Sequence, residues 1–370
     1  MQKIKGKHAA ADVFSDTAEE YVIAQIKAIC DNEAAKDSKI CIMPDVHPGK
    51  VGPIGLTMTL GNRVLPCLLG TDIGCGISYI KIKETKVEYQ KLDTVIREKI
   101  PVGSKSRNEP HRFSRDFDFD DLICRKHVDE NRAILGLGTL GSGNHFIELD
   151  KDDEGNIYAF VHSGSRYLGA AVTEYYLREG QKQLKKESIQ VPYELTYLEG
   201  KLMEDYIHDV NEVMGFAMLN REIILYELEK KMKWKVDSLG ESIHNYVDEN
   251  LILRKGAAQS YEDDEIIIPI NMRDGIILGR GKGNPDWNYS APHGAGRILS
   301  RDEARKNHTV SEFKEAMKEI YSPSICKETL DEAPFAYRSI EEIIVAIKPS
   351  VEVRKILKPL YNYKAAEERR

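Results

Sequence analysis

At 370 residues, with 41 % apolar and 31 % charged positions, the chain has the composition of a globular protein able to bury a sizeable core. Its formal charge of −7 argues against a protein that coats nucleic acid non-specifically, although a local basic groove remains compatible with it. No apolar run is long enough to span a bilayer, and the start M-Q-K-I-K-G-K-H lacks the apolar stretch of a signal peptide. Six cysteines without C-x-x-C spacing fit a reducing, cytoplasmic setting.

Residues 8–36 carry a helical pattern, with Ala18, Tyr21, Val22, Ile26 and Ile29 at helical spacing. A strand is expected at 40–43, closed by P-D-V-H-P-G-K at 44–50. Its two prolines and Gly49 predict a turn that presents Asp45 and His47, more often a plain turn than a site. Strand-like stretches at 54–61 and 63–69 lead to G-T-D-I-G-C-G at 70–76 and a further strand. In that loop a carboxylate, Asp72, and a thiol, Cys75, can converge on one metal, and a thiolate can bridge two. Taken alone, a capped turn with a small buried cysteine is the better account. The basic segment 105–115, with Lys105, Arg107, Arg112 and Arg115, reads as a solvated loop before it reads as a phosphate cradle.

The centre of the chain runs from 138 to 166: G-T-L-G-S-G-N-H-F-I-E-L-D, a short charged gap, then I-Y-A-F-V-H-S-G-S-R. His145 and His162 each stand where a β-type run meets Gly, Ser or Asn, so the backbone can come close to a ligand while a neighbour holds the second ring nitrogen. Helices follow at 168–186 and at about 193–233, the second with a core stripe of Met203, Ile207, Val210, Met214, Ala217 and Ile224. His208 beside that stripe reads as structural, and N-R-E at 220–222 leaves Arg221 either facing a site or solvated. Beyond His244, residues 265–287 alternate strands with Gly-rich turns. His293, in S-A-P-H-G-A-G-R at 290–297, is expected at a loop-to-helix junction where free amides and Arg297 would suit a phosphate; an ordinary Gly-rich turn fits equally well. A helix begins near 339. With no repeat and no low-complexity linker, the expectation is one α+β domain over 1–370, with central sheets flanked by helices and the helical segment at about 168–235 inserted within it.

No H-E-x-x-H zinc motif and no G-x-x-x-x-G-K-[ST] phosphate loop occurs. The metal-type residues are Asp72, Cys75, His145, His162 and His244, with His293 left over. Such mixed carboxylate, thiolate and imidazole ligation suits a borderline divalent ion such as Mn²⁺ or Zn²⁺.

Six motifs, in order, carry a family resemblance: P-D-V-H-P-G at 44–49, G-x-D-I-x-C-G at 70–76, G-S-G-N-H-F-I-E at 141–148, H-S-G-S-R at 162–166, H-N-Y at 244–246 and H-G-A-G-R at 293–297. The chain resembles the RtcB family of RNA ligases, as a short bacterial-type paralogue. The resemblance implies GTP- and Mn²⁺-dependent joining of RNA 3′-phosphate or 2′,3′-cyclic phosphate ends to 5′-hydroxyl ends, in RNA repair or tRNA splicing. It implies two Mn²⁺ ions on Asp72, Cys75, His145, His162 and His244, with Cys75 bridging, and His293 as the nucleophile that takes GMP. Asn144 and Glu148 would contact the guanylate, Lys364 would read the guanine, Asp45 would be an acidic residue near the site, and Arg166 and Arg297 would bind phosphate. An archease-type activator is a further partner that the resemblance leaves open. Two departures stand out. Where many members carry a G-S-M-G-T-like nucleotide loop this chain reads I-N-M-R-D-G at 270–275, which leaves GTP over ATP unsettled. That segment also lacks the lysine of a K-x-D-G ligase motif, so His293 is the expected covalent residue. A metal-dependent phosphodiesterase that processes RNA ends without joining them, and a non-catalytic RNA-end binder, are the alternatives.

Overall fold

The computed structural model describes residues 2–16 and 18–365. Its spine is a seven-stranded sheet, in the order Val236–Ile243, Gly76–Ile82, Ile157–Ser163, Phe146–Lys151, Val351–Lys364, Gly275–Gly281, Glu265–Asn271. Every neighbouring pair is antiparallel. The strand I-Y-A-F-V-H-S at Ile157–Ser163 is buried throughout, as expected of a β-branched and aromatic run flanked by strands and covered on both faces. The sheet curls until its two edge strands, Val236–Ile243 and Glu265–Asn271, come into contact.

Outside the curl lies the helix Gly200–Met232, whose Ile224, Leu225, Leu228 and Met232 pack on Ile80, Ile147, Leu149, Ala159 and Val161. Inside it, alternate residues of the same strands gather as a second cluster with Ile77, Tyr79, Phe146, Phe160, Ile267 and Leu357. The period of two thus sends one set of side chains to the helix and the other to the concave face. A second sheet of six strands runs Gln2–Lys5, Ala10–Val13, Ile40–His47, Ile54–Thr59, Ile252–Lys255, Asn245–Val247. One residue, His244, separates the strand Val236–Ile243 of the first sheet from Asn245–Val247 of the second. The seam between the two sheets therefore passes through a metal-type side chain.

Five expected elements change. The helical pattern at 8–36 contracts to Glu20–Cys30, because Ala10–Val13 pairs in parallel with Ile40–Ile42 as a strand. The strand expected at 40–43 continues to His47, so Asp45 stands in a sheet and the turn begins after it. Of 63–69 only Arg63–Val64 is extended; Pro66, whose missing N–H costs nothing at a first helical position, opens the short helix Pro66–Leu69. The helix expected just after His293 starts only at Arg301, with the capping box Ser300/Glu303. The long helix, expected from about 193, begins only at Gly200, because Leu198–Glu199 pairs as a strand with Arg63–Val64. The hairpin of Phe146–Lys151 with Ile157–Ser163 and the helix Ile340–Ile347 lie where the residue pattern puts them. Among the described residues no helix is long and apolar enough to cross a membrane.

Candidate metal centre and nucleotide cleft

Four ring and sulfur atoms meet at the seam. His145 Nδ1 lies 2.8 Å from the Leu140 carbonyl, to which it donates, leaving Nε2 with a free lone pair. That Nε2 is 3.3 Å from Asp72 Oδ2 and 3.5 Å from Cys75 Sγ. On the far side of the sulfur, His162 Nε2 is 3.2 Å from Cys75 Sγ and 3.3 Å from His244 Nε2. Two triads result, Asp72/Cys75/His145 and Cys75/His162/His244, the donor atoms of each within 4.8 Å of one another. Cys75 belongs to both.

This donor set fits a divalent cation. Burial, then the neighbouring histidines, hold His162 and His244 well below the ordinary imidazole range, so both are neutral imidazoles able to ligate a cation. Burial and then Asp72 push the Cys75 thiol far up. The cluster therefore packs lone pairs against lone pairs with few protons to share, a repulsive arrangement that a cation turns into ligation while displacing the thiol proton.

The long helix holds the loops that carry these ligands. Arg221 is fully buried; its Nη1 donates at 2.8 Å to the carbonyls of both Gly74 and Ser163, and its Nη2 pairs with Glu241 at 2.8 Å. Asn220 beside it receives the N–H groups of Gly138 and Thr139 and donates to the Thr139 and Gly164 carbonyls. Arg221 is thus neither solvated nor facing a ligand, the two possibilities its sequence context left open. Gly164 is required for a different reason: a Cβ there would run into the Asp72 carboxylate.

Next to the metal triads opens a cleft of about 240 Å³, bordered by His162, His293, Asn144, Glu148, Lys364 and Arg297 among others. His293 follows the strand Ser290–Pro292, and its ring lies 4.9 Å from that of His244. Its backbone N–H and Nδ1 both reach Asp45 Oδ2, at 3.2 and 2.9 Å, so Nε2 is the nitrogen left for chemistry. Asp45 is fully buried at this point. On the opposite wall, the sheet register sets Asn362 across from Glu148 and Lys364 across from Phe146, which is itself opposite His162. These side chains therefore share the concave face. Asn362 Nδ2 donates to Glu148 Oε2. Burial raises the Glu148 carboxyl to about 7, against the lowering pull of Asp150, Asn362 and Lys364.

Lys364 Nζ donates to Glu332 Oε2 at 2.7 Å, and the same buried carboxylate takes Arg301 at 2.9 Å, Arg297 at 3.3 Å and the Tyr337 hydroxyl at 2.6 Å. Arg297 makes four hydrogen bonds to protein groups, so it brings charge to the cleft wall more than free N–H groups. Arg166 starts the helix Arg166–Lys186 at a φ of 57°, and its guanidinium donates to Thr139 Oγ1 and the Gly103 carbonyl. Its charge is near enough to Asp72 to act on that carboxyl.

All twelve residues singled out from the sequence lie in or beside this one region, Arg166 at its edge. His47, read from the sequence as more often part of a plain turn than of a site, has its ring 6.3 Å from that of His293; missed altogether were Asn362, Glu332, Arg301 and Tyr337. His47 was visible as part of P-D-V-H-P-G; nothing marks Glu332 in D-E-A-P-F. Two surface readings also change. Arg107 turns inward to the carbonyls of Leu137 and Gly138, and so leaves the supposed basic strip. Asn271 and Met272 of the divergent 270–275 segment border the cleft, while Arg273 is occupied by Asp274. His208 donates to or accepts from no ligand-type group but lies 2.8 Å from the Asp121 carbonyl, as a structural histidine should.

A family model described as tRNA-splicing ligase RtcB matches residues 32–129 and 123–365. The chain belongs to the RtcB family. It is 29 % identical over 356 residues to the RNA-splicing ligase RtcB of Escherichia coli strain K12, covering 85 % of this chain and 87 % of that protein. The same identity and coverage relate it to the RNA-splicing ligase RtcB1 of Escherichia coli strain ATCC 25922. It is 26 % identical over 402 residues to the tRNA-splicing ligase RtcB of Nanoarchaeum equitans, covering 82 % and 83 % of the two chains. The geometry makes the ligand set testable by metal uptake. Replacing the shared Cys75 by Ala is expected to abolish Mn²⁺ binding at both triads, whereas His145→Ala and His244→Ala each leave one ion, counted by equilibrium dialysis. Two ions bound to Cys75→Ala would rule out the shared thiolate.

A second expectation comes from Glu148. Its folded pKa of about 7 exceeds the ordinary 4.5, so between those values the native state binds more protons than the unfolded chain and stability falls as pH rises. Glu148→Gln removes that loss and is expected to stabilise the protein at pH 8 by roughly 1–3 kcal/mol relative to its effect at pH 4.5. Urea denaturation at the two pH values measures it, and equal shifts at both would contradict the buried-carboxylate account.

Proposed function

We propose that the protein is an RNA ligase that joins a 3′-phosphate or 2′,3′-cyclic phosphate end to a 5′-hydroxyl end through a guanylated His293, in RNA repair or tRNA splicing. The observation that carries this reading is the imidazole of His293. With Nδ1 on a buried Asp45, its Nε2 is left for attack beside a donor set for divalent cations and a cleft of nucleotide character. Because that site draws on residues from Asp45 to Lys364, the chain reads as one catalytic domain. Its six free cysteines suit a reducing cytoplasm.

A 3′-phosphate has no good leaving group, so it must be activated before a hydroxyl can displace anything. Neutral imidazole is a competent nucleophile near neutral pH. Nε2 of His293 attacks the α-phosphorus of GTP; the P–N bond forms and the bond to pyrophosphate breaks. Asp45 fixes the tautomer and offsets the positive charge that develops on the ring. Two Mn²⁺ ions, held by Asp72/Cys75/His145 and Cys75/His162/His244, would supply charge neutralisation on the phosphoryl oxygens. Arg166 and Arg297 add fixed positive charge beside them. GMP then passes to the RNA 3′-phosphate, the P–N bond breaks, and the 5′-hydroxyl displaces GMP as the new phosphodiester forms. A cyclic end is first opened by water.

Guanine presents N1–H and an exocyclic amino group on one edge. An ionised Glu148 accepts both, Asn144 reaches the guanylate, and Lys364, held by Glu332, donates to the carbonyl O6. Guanine selection therefore rests on the concave sheet face rather than on the divergent segment 270–275.

Incubation with α-labelled GTP and Mn²⁺ followed by denaturing electrophoresis tests the covalent step. The wild-type protein is expected to retain label and His293→Ala to retain none. Asp45→Asn should slow labelling about a hundredfold or more, since it disturbs the tautomer. Label on His293→Ala would overturn the assignment. An unlabelled wild type that opens cyclic phosphates would instead favour end processing, and labelling restored by an archease-type protein would indicate an activator.

A further inference from the structure

Asp150 is a buried acid that the mechanism above leaves unused. It follows Glu148 by two residues on the strand Phe146–Lys151, so both carboxyls stand on the same face of the sheet. Asp150 is fully buried, and among the described residues neither of its oxygens receives a hydrogen bond. An ionised carboxylate there would be a buried charge without compensation, a far costlier state than the neutral acid. A neutral carboxylic acid has one O–H to donate, and the acceptor that shares its face of the strand, two residues away, is the buried Glu148. Glu148 also takes Asn362 Nδ2 from across the register, and Lys364, two residues further along that strand, is the cation acting on it.

We propose that Asp150 is a positioning and specificity residue: its carboxylic O–H donates to Glu148 and so favours the ionised form of that carboxyl, which offers two acceptors to the donor edge of guanine. This rests on the reading that Glu148 contacts the base. Without the Asp150 donor, Glu148 in its buried place takes up a proton itself. It then presents one donor and one acceptor, a pair that matches the N1 acceptor and N6 amino group of adenine and leaves a clash of donors against guanine N1–H. The carboxyl behind the cleft, which no nucleotide touches, thus sets which purine the cleft prefers.

The test is the ratio of GMP to AMP affinities, measured by equilibrium dialysis with Mn²⁺ present, so that no chemical step intervenes. Asp150→Asn keeps a neutral donor of the same shape and is expected to leave the ratio unchanged. Asp150→Leu keeps the volume without a donor and is expected to lower the ratio about tenfold or more, chiefly by weakening GMP, as loss of a hydrogen bond to a charged group does. Asp150→Ala replaces it if the leucine variant does not unfold cooperatively. An unchanged ratio in the folded donor-less variant overturns the proposal, as does an asparagine variant that falls with it, since Asp150 would then act through charge or packing. Glu148→Gln separates the two levels. If it leaves the ratio unchanged, the base contact itself fails and the proposal with it; if it lowers the ratio while the donor-less variant does not, this proposal alone fails.

Discussion

A buried guanidinium holds the site together. Arg221 lies with no exposure on the helix Gly200–Met232, and its Nη1 reaches the carbonyls of Gly74 and Ser163, residues 89 positions apart in the chain. Gly74 precedes Cys75, and Ser163 follows His162, so the clamp acts one residue from each ligand. An unpaired charge in such a place would be destabilising by several kcal/mol, and Glu241 at 2.8 Å supplies the partner. Asn220 does the same for the segment before His145 with uncharged hydrogen bonds. Because both residues sit on one rigid helix, three loops inherit a common frame.

That frame is needed because the site is built against its own stability. Its neutral imidazoles are crowded around a thiol that burial keeps protonated. Along the strand Phe146–Lys151, Glu148 and Asp150 share a face of the sheet although burial raises both carboxyls. Neither group is arranged to lower the energy of the fold by itself; a cation at the first and a hydrogen-bonding ligand at the second would compensate them. The cost falls on the surrounding core. The apolar contacts between Gly200–Met232 and the convex face of the seven-stranded sheet, among them fully buried Ile224 and Leu228, are the favourable term that tolerates it.

The metal-type residues and His293 were legible because glycine, serine or asparagine stands close to each in the chain, as where a backbone must approach something closely; Asp45, Glu148 and Lys364 carry no such local frame and were legible only through the family resemblance. The long helix was legible because its stripe persists over many turns. Shorter apolar stretches were not. Residues 10–13 fit a helical period as well as an extended one, and only the parallel pairing with Ile40–Ile42 decides between them. The absence of a helix after His293 is equally non-local: Gly296, at a φ of 72°, packs on the backbone of Asp45, where a Cβ would collide, and this left-handed residue keeps the segment from continuing as a helix. Arg221 reads like any helical arginine, since its partner carbonyls lie far away in sequence. Glu332 lies 32 residues from Lys364, and no local pattern announces a carboxylate that holds a lysine, two arginines and a tyrosine.

The strand Val351–Lys364 fixes one wall of the cleft independently of the divergent segment 270–275. Its antiparallel register to Phe146–Lys151 fixes Asn362 against Glu148 and Lys364 against Phe146, and the next register in the sheet sets Phe146 against His162. Base-facing groups and a metal-type ligand are thereby tied into one hydrogen-bonded ladder. A one-residue slip would turn all of them to the opposite face, where the helix Gly200–Met232 already fills the space. Register is therefore enforced by the core, and the geometry between base and metal follows from it. The segment 270–275 lies at the turn of the edge hairpin Glu265–Asn271 with Gly275–Gly281, where Asn271 and Met272 border the cleft but take no part in the pairing of Val351–Lys364 with Phe146–Lys151. Its side chains can change without moving the groups that would read the base.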